Sequence, residues 1–231
     1  MANLQIGSYV LKKGSGKEVF AKGNYMFRNR LDAARQLAQR LEYLKGRNPL
    51  ILAIPRGGVP MGRYLADALE GELDVVLVRK LRAPDNPEFA IGAVSEDGSM
   101  KLDAAASHFP PEDVEREADH QRQLLKERRA RYSPIRPPLP PEGRVVVVVD
   151  DGSATGATME AALKTLSGRP EWLIAAMGVG SPSAVARLEA SADEVACLEI
   201  PRGFMGVGQF YADFGQVQEE EVIELLRHSS G

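Results

Sequence analysis

Residues 144–159, RVVVVVDDGSATGATM, join a run of β-branched apolar residues to two adjacent acids and a turn of small residues. Five consecutive valines without alternation predict a strand buried on both faces, as in the middle of a parallel sheet. Ligands of such sheets bind beyond the carboxyl ends of the strands. There Asp150 and Asp151 are suited to accept hydrogen bonds from a diol such as the ribose 2′ and 3′ hydroxyls. Ser153, Ala154, Thr155, Gly156, Ala157 and Thr158 then form a turn opening a helix. Its N–H groups, helix dipole and Thr hydroxyls make a site for phosphate. An ordinary strand-to-helix connection shares the strand, an acid and a glycine. The full combination, two acids followed by Thr-Gly-x-Thr, is far rarer.

The elements that must position these residues are legible from periodicity. Leu31, Ala34, Leu37, Ala38, Leu41 and Leu44 recur at three- and four-residue spacings, predicting an amphipathic helix that starts at Asn29 or Asp32 and ends near Gly46. PLILAIP stops at Arg56-Gly57-Gly58 and gives way to a helical pattern through about Leu69: strand, glycine turn, helix. LDVVLVRK reads as a second strand, and AIGAVSED with SMKLD as one or two more, with a hairpin turn at Asp97-Gly98. Pro110 to Tyr132 is charged and helical, and the five prolines from Pro134 to Pro141 make a stiff linker back to the core. Lys126, Arg128, Arg129 and Arg131 are the densest basic patch; with Glu115, Glu117 and Glu127 beside them they read as a solvated helix face. WLIAAMGVG, SPSAVARLEASAD and EVACLEIP repeat strand, helix and strand, and QEEEVIELLRH is a closing helix. The expected fold class is α/β, an open and mainly parallel sheet flanked by helices with a small helical insertion or hood. The expected organisation is an N-terminal arm at 1–26 and one domain at 27–231, with residues 104–142 as a helical, proline-rich insertion.

Composition narrows the function classes. No apolar run in the 231 residues approaches the length needed to cross a bilayer, and the opening MANLQIGSYVLKKGSGKEVF lacks the pattern of a secretory signal, so no membrane partner and a cytoplasmic location are expected. A net charge of −3 argues against a dedicated nucleic-acid binder. Cys197, the single cysteine, sits in an apolar run and reads as a buried small hydrophobe. His108, His120 and His228 lack metal-ligand spacing. No G-x-G-x-x-G follows a strand, and GSGK at Gly14 to Lys17 lacks the spacing of a P-loop.

With strand, acid pair and Thr-Gly-x-Thr turn in place, residues 145–158 resemble the signature that binds 5-phosphoribosyl-1-pyrophosphate (PRPP) in type I phosphoribosyltransferases. The resemblance runs from about Phe27 to Val222 and is greatest to uncharacterised bacterial proteins combining an IPRGG loop, an RKL-x-x-P loop and DDG-x-ATGAT. It implies that Ala154, Thr155, Gly156, Ala157 and Thr158 hold the 5-phosphate, and that Arg56, Gly57 and Gly58 form the pyrophosphate loop. Backbone approach at glycine and a guanidinium suit that role. VRKLRAPDNPEFAIGAV stands where the family carries a mobile catalytic loop, with a turn expected at Asp85-Asn86. Arg79, Lys80 and Arg82 are its candidate cations for the leaving pyrophosphate, Lys80 foremost; the structural alternative is an exposed connector. The resemblance further implies Mg²⁺ bound mainly through PRPP, catalytic roles for Asp150 and Asp151, and a homodimer. Gly152 departs from the bulky apolar residue usual after the acid pair.

The implied activity is transfer of phosphoribosyl to an unidentified nitrogen acceptor, a nucleobase being one candidate, with release of pyrophosphate. RGFMGVGQFYADF contains Phe204 and Val207, which faintly match a purine-stacking pocket, while Phe210, Tyr211 and Phe214 equally suit core anchors. The alternative function is a regulator that senses PRPP or nucleotides through the same fold without transferring anything.

Overall fold

A computed structural model describes residues 26–135 and 137–227. Of the arm expected at 1–26, residues 1–25 lie outside the described residues, as do GSGK and His228. The main sheet is parallel and has five strands: β1 (Leu50–Ala53), β2 (Glu72–Val75), β6 (Val145–Ser153), β7 (Trp172–Gly180) and β8 (Glu194–Glu199), in spatial order β2-β1-β6-β7-β8. The valine run is its central strand, and Val145 to Val149 are all buried. Alternate valines serve two cores. Val145, Val147 and Val149 pack toward α1 (Arg30–Arg40) and α2 (Gly58–Leu69), while Val146 and Val148 pack toward α4 (Ala157–Leu166) and α5 (Pro182–Glu189).

The helix predicted from Leu31 onward is α1, and its start is resolved in favour of Asn29. The Asn29 side chain accepts from Asp32 N at 3.0 Å, and Asp32 in return accepts from Arg28 N at 3.0 Å. The first of these bonds satisfies an orphan amide of the first turn, and the second ties down the chain just before the cap. Leu31, expected on the buried face, is 48% exposed; Ala33, Ala34, Leu37 and Ala38 carry the stripe instead.

LDVVLVRK does not form one strand. Beside β2 the partner β1 ends at Ala53 and the chain turns at Pro55, so the ladder has no further partner after the Val76 N bond to Ala53 O. The chain then leaves the sheet, and β3 (Val78–Ala83) pairs antiparallel with β4 (Asn86–Ser95), which pairs with β5 (Met100–Leu102). The second hairpin turns at Asp97-Gly98 as expected, with Gly98 at φ 86°. The β3–β4 turn is Pro84-Asp85, one residue before the expected position.

The charged helix is α3 (Pro111–Arg129), and it lies against β3 and β4. Arg129 is not on a solvated face. Its guanidinium donates to both Asp74 carboxylate oxygens at 2.9 and 3.1 Å and lies 3.3 Å from Glu96. Val114, Ala118, Gln121, Leu125 and Arg129 form one buried stripe at three- and four-residue spacing, so Arg129 shares the face of its apolar neighbours. The closing helix is α6 (Glu219–Arg227), packed on α2, and Cys197 is buried as expected. Among the described residues no helix is long and apolar enough to cross a membrane.

Candidate functional site

The acid pair stands at the carboxyl end of the central strand. Strand alternation sends the two side chains to opposite faces, Asp150 toward α4 and Asp151 toward α1 and α2. The loop between β1 and α2 lies directly against them. A Cβ added to Gly58 would stand 2.5 Å from Val149 O, and one added to Gly57 would collide with the Asp151 carboxylate. Only glycine permits this approach. The Pro55–Arg56 peptide is cis, and Arg56 is half-buried beside the glycines.

Asp151 is buried and held from three directions. Arg30, the first residue of α1, donates through Nε to its carboxylate at 2.8 Å. The Tyr211 hydroxyl donates to the Asp151 carbonyl at 2.6 Å, and the Gly57 backbone lies against the carboxylate. Asp150 is half-buried, and its carboxylate accepts from Asp151 N at 2.9 Å. Burial pushes the Asp150 carboxyl well above the usual carboxylate range, and the charge on Asp151 adds to the rise. Burial raises Asp151 as well, with Arg30 opposing that rise through its hydrogen bond and charge. The Tyr211 phenol is raised, chiefly by burial.

The small-residue turn is shaped before any ligand arrives. Ser153 Oγ accepts from Gly156 N at 2.9 Å, Gly156 adopts φ 76°, and the first helical bond of α4 runs from Glu160 N to Gly156 O at 2.8 Å. The amides of residues 157–159 precede that bond, and that of Ala157 donates to Thr155 Oγ1 at 3.4 Å. Next to this turn stands the β3–β4 hairpin. Lys80, Thr155 and Ala157 line one cleft of about 550 Å³, and Arg79, Lys80, Arg82 and Thr158 line another of about 290 Å³. The hairpin cations are thus gathered at the small-residue turn, while Arg56, Gly57 and Gly58 are gathered at the acid pair.

Helix α3 braces the hairpin. Gln121 of α3 is buried; its carbonyl oxygen accepts from Arg79 Nε and its amide donates to Glu117 at 2.9 Å. Glu117 also accepts from Arg82 N at 3.3 Å. Arg79 is therefore tied in place rather than a free connector charge, whereas Lys80 is exposed.

In the segment at 200–217, Phe204 packs on Phe210 with ring centroids 5.2 Å apart, which sets it against the core. Val207 lies beside the acid pair: a Cβ on Gly152 would stand 2.8 Å from Val207 Cγ1. The space of the bulky residue expected after the acids is filled from this distant segment. Gln209 closes the loop on itself, donating to Gly203 O at 2.8 Å and accepting from Met205 N at 3.2 Å. Phe210 and Tyr211 are buried core anchors. Tyr211 touches the acid pair directly, and Phe214 stacks on Tyr211 at 5.0 Å and lies 3.9 Å from the Arg30 guanidinium carbon. Arg30, Tyr211, Phe214 and Gln121 were not singled out as site residues from the sequence; no local spacing relates Arg30 to Asp151, 121 positions away.

Among the described residues no cluster of three or more His, Cys, Asp or Glu is arranged to hold a metal ion. A cavity of about 270 Å³ near Asp74, Glu96 and Leu139 is lined by neither acid, by none of the small-residue turn and by none of the hairpin cations Arg79, Lys80 and Arg82.

A parallel sheet that ends in an acid pair, with a glycine loop beside it and a helix-opening turn after it, defines an α/β protein whose candidate site lies at the carboxyl end of the central strand. The chain belongs to the phosphoribosyl transferase domain family, whose model matches residues 27–214. It is 41% identical over 214 residues to a Mycobacterium tuberculosis protein provisionally named a phosphoribosyl transferase, the match covering 87% of this chain and 46% of that protein. The same figures hold for the counterpart from a second strain of that organism. The chain thus spans about half the length of the curated relatives it matches. The crystal structure of the Thermus thermophilus protein TT1426 is 47% identical, with a TM-score of 0.81 over 87% of this chain and 97% of that one. The fold is that of the type I phosphoribosyltransferases.

Proposed function

We propose that this protein binds PRPP and transfers its phosphoribosyl group to a nitrogen acceptor of small-molecule size, releasing pyrophosphate. The observation that carries the reading is the contact of Gly57 and Gly58 with the end of β6, which sets a glycine loop, two carboxylates and a phosphate-type turn around one strand end. In this reading the turn from Ala154 to Thr158 takes the 5-phosphate on its amides and Thr hydroxyls. Asp150 accepts from the ribose hydroxyls, and Asp151 supplies negative charge behind the ring. Arg56 and the Gly57 and Gly58 amides take the diphosphate, helped by Lys80, Arg79 and Arg82 when the hairpin closes on it.

A Mg²⁺ carried in by the substrate would take hard oxygen ligands from the diphosphate and ribose, beside the carboxylates at the end of β6. Mg²⁺ so bound neutralises charge on the leaving group. In the transfer step the C1–O bond breaks with its electron pair going to the diphosphate. The acceptor nitrogen's lone pair forms the new N–C1 bond, and the proton that nitrogen loses passes to solvent. Catalysis then rests on positioning and on charge placed where the oxocarbenium-like state develops.

A regulator would need a surface for its partner, and the basic stretch from Lys126 to Arg131 offers less charge for one because Arg129 is buried against Asp74. Isothermal titration of PRPP with Mg²⁺ tests the reading. Saturable binding to wild type, lost in an Asp150→Asn, Asp151→Asn double variant, is the expected result, to be followed by a nucleobase screen for pyrophosphate release. No binding to wild type overturns it.

A further inference from the structure

Arg30 draws together three parts of the molecule that are remote in sequence. Its Nε donates to Asp151 at 2.8 Å, its Nη1 donates to Gly215 O at 2.7 Å, and its guanidinium carbon lies 3.9 Å from the Phe214 ring centroid. The segment holding Phe214 and Gly215 is in turn zipped to the chain entering α1. Met26 N and Phe27 N donate to Phe210 O at 3.0 Å, Ala212 N to Phe27 O at 2.9 Å, and Asp213 N to Arg28 O at 2.8 Å. Tyr211, between them, reaches Asp151 O from beneath. A planar, five-donor cation suits such a junction, since it can stack and bond in two directions at once.

Resting on the reading of the acid pair as the ribose site, we propose that Arg30 is a positioning residue. It holds Asp151 against Gly57 as a fixed anion and couples the strap at 210–215 to the end of β6, leaving Asp150 as the carboxylate that meets the sugar. The geometry supports this division of labour. Asp151 is buried and already bonded to a cation, whereas Asp150 is half-buried on the opposite face, toward the phosphate turn. The charged and titratable groups facing Asp151 are Asp150 on its own strand, Arg30 from α1 and Tyr211 from the strap; the loop before α2 presents Gly57. In that set Arg30 is the cation, and its hydrogen bond and charge oppose the rise that burial imposes on Asp151. The strap also carries Phe214 onto Arg30, and Val207, just before it, lies beside the acids, so a ligand that disturbs the strap acts on Asp151 through the same side chain.

The test compares wild type, Arg30→Gln and Arg30→Lys by carboxyl-carbon NMR titration of ¹³C-labelled aspartate, and by titration with Mg²⁺ and PRPP across pH 5–9. In Arg30→Gln the ionisation of the acid pair is expected to move up by about one pH unit or more. The acid limb of PRPP affinity should move with it, and affinity at pH 7 should fall about tenfold. Arg30→Lys should return the titration most of the way toward wild type while leaving affinity reduced, because charge is restored and the planar fork is not. A merely structural role would alter affinity without moving the titration. An unmoved titration in folded Arg30→Gln, or Arg30→Lys titrating like Arg30→Gln, overturns the proposal. Should Arg30→Gln not fold, Phe214→Leu decides, since it removes the ring under the guanidinium: the same step moves up by less, and an unmoved step overturns the proposal. A wild type that fails to bind PRPP overturns the ribose reading, while the carboxyl titration still decides the role of Arg30.

Discussion

Replacing Gly57 by alanine places one methyl group where the Asp151 carboxylate now lies. Something must move, and the neighbour is a buried, ion-paired side chain rather than the end of a flexible one. If the carboxylate withdraws, the 2.8 Å bond to Arg30 is the first to break. A hydrogen bond between charged groups contributes about 1.5–3 kcal/mol. For a domain of this size each 1 kcal/mol moves Tm by about 2–4 °C, so Gly57→Ala should lower Tm by about 3–12 °C. Gly203→Ala is the matched control, because a Cβ there meets nothing within 4 Å. The assays are thermal denaturation and titration with Mg²⁺ and PRPP. Gly57→Ala should lose both stability and PRPP affinity, and Gly203→Ala neither. If Gly57→Ala keeps the Tm and the affinity of the control, the close packing of the loop on the acid pair is wrong, and with it the geometry carrying the proposed function.

Two further outcomes follow from other parts of the fold. Burial pushes Glu96 up to about 7 from 4.5, against the opposing charge of Arg129. The folded chain therefore holds a proton that the unfolded chain releases, and this contribution weakens as pH rises from about 4.5 to 7 before levelling off, by at most about 3 kcal/mol. The Tm of Glu96→Gln relative to wild type should become more positive between pH 5 and pH 8; a difference independent of pH refutes the assignment. Gln121→Leu removes the acceptor of Arg79 and the donor to Glu117 from a buried position, and should cost about 1–3 kcal/mol in urea unfolding. PRPP affinity should fall with it, since Arg79 loses its hold; unchanged affinity would remove Arg79 from the proposed pyrophosphate set.

The order of elements, the central valine strand and the acid-and-turn segment were all legible in the sequence, because each is written in local pattern. Valines without alternation specify burial on two faces, and Thr-Gly-x-Thr after two acids specifies a helix start suited to phosphate. Where the sequence reading went astray, the deciding term was not local. LDVVLVRK has one continuous apolar pattern, yet it divides because β1, its hydrogen-bonding partner, ends first. Arg129 looks solvated among its charged neighbours, yet Asp74 and Glu96, far from it in the chain, supply the partners that make its burial tolerable. The same holds at the site. The residue types of the acid pair and its turn come from the sequence alone, and so does the glycine loop. Which acid is locked and which is open was decided only by tertiary structure, because strand alternation turns Asp151 toward α1 and packing brings Arg30, Tyr211 and Gly57 to meet it.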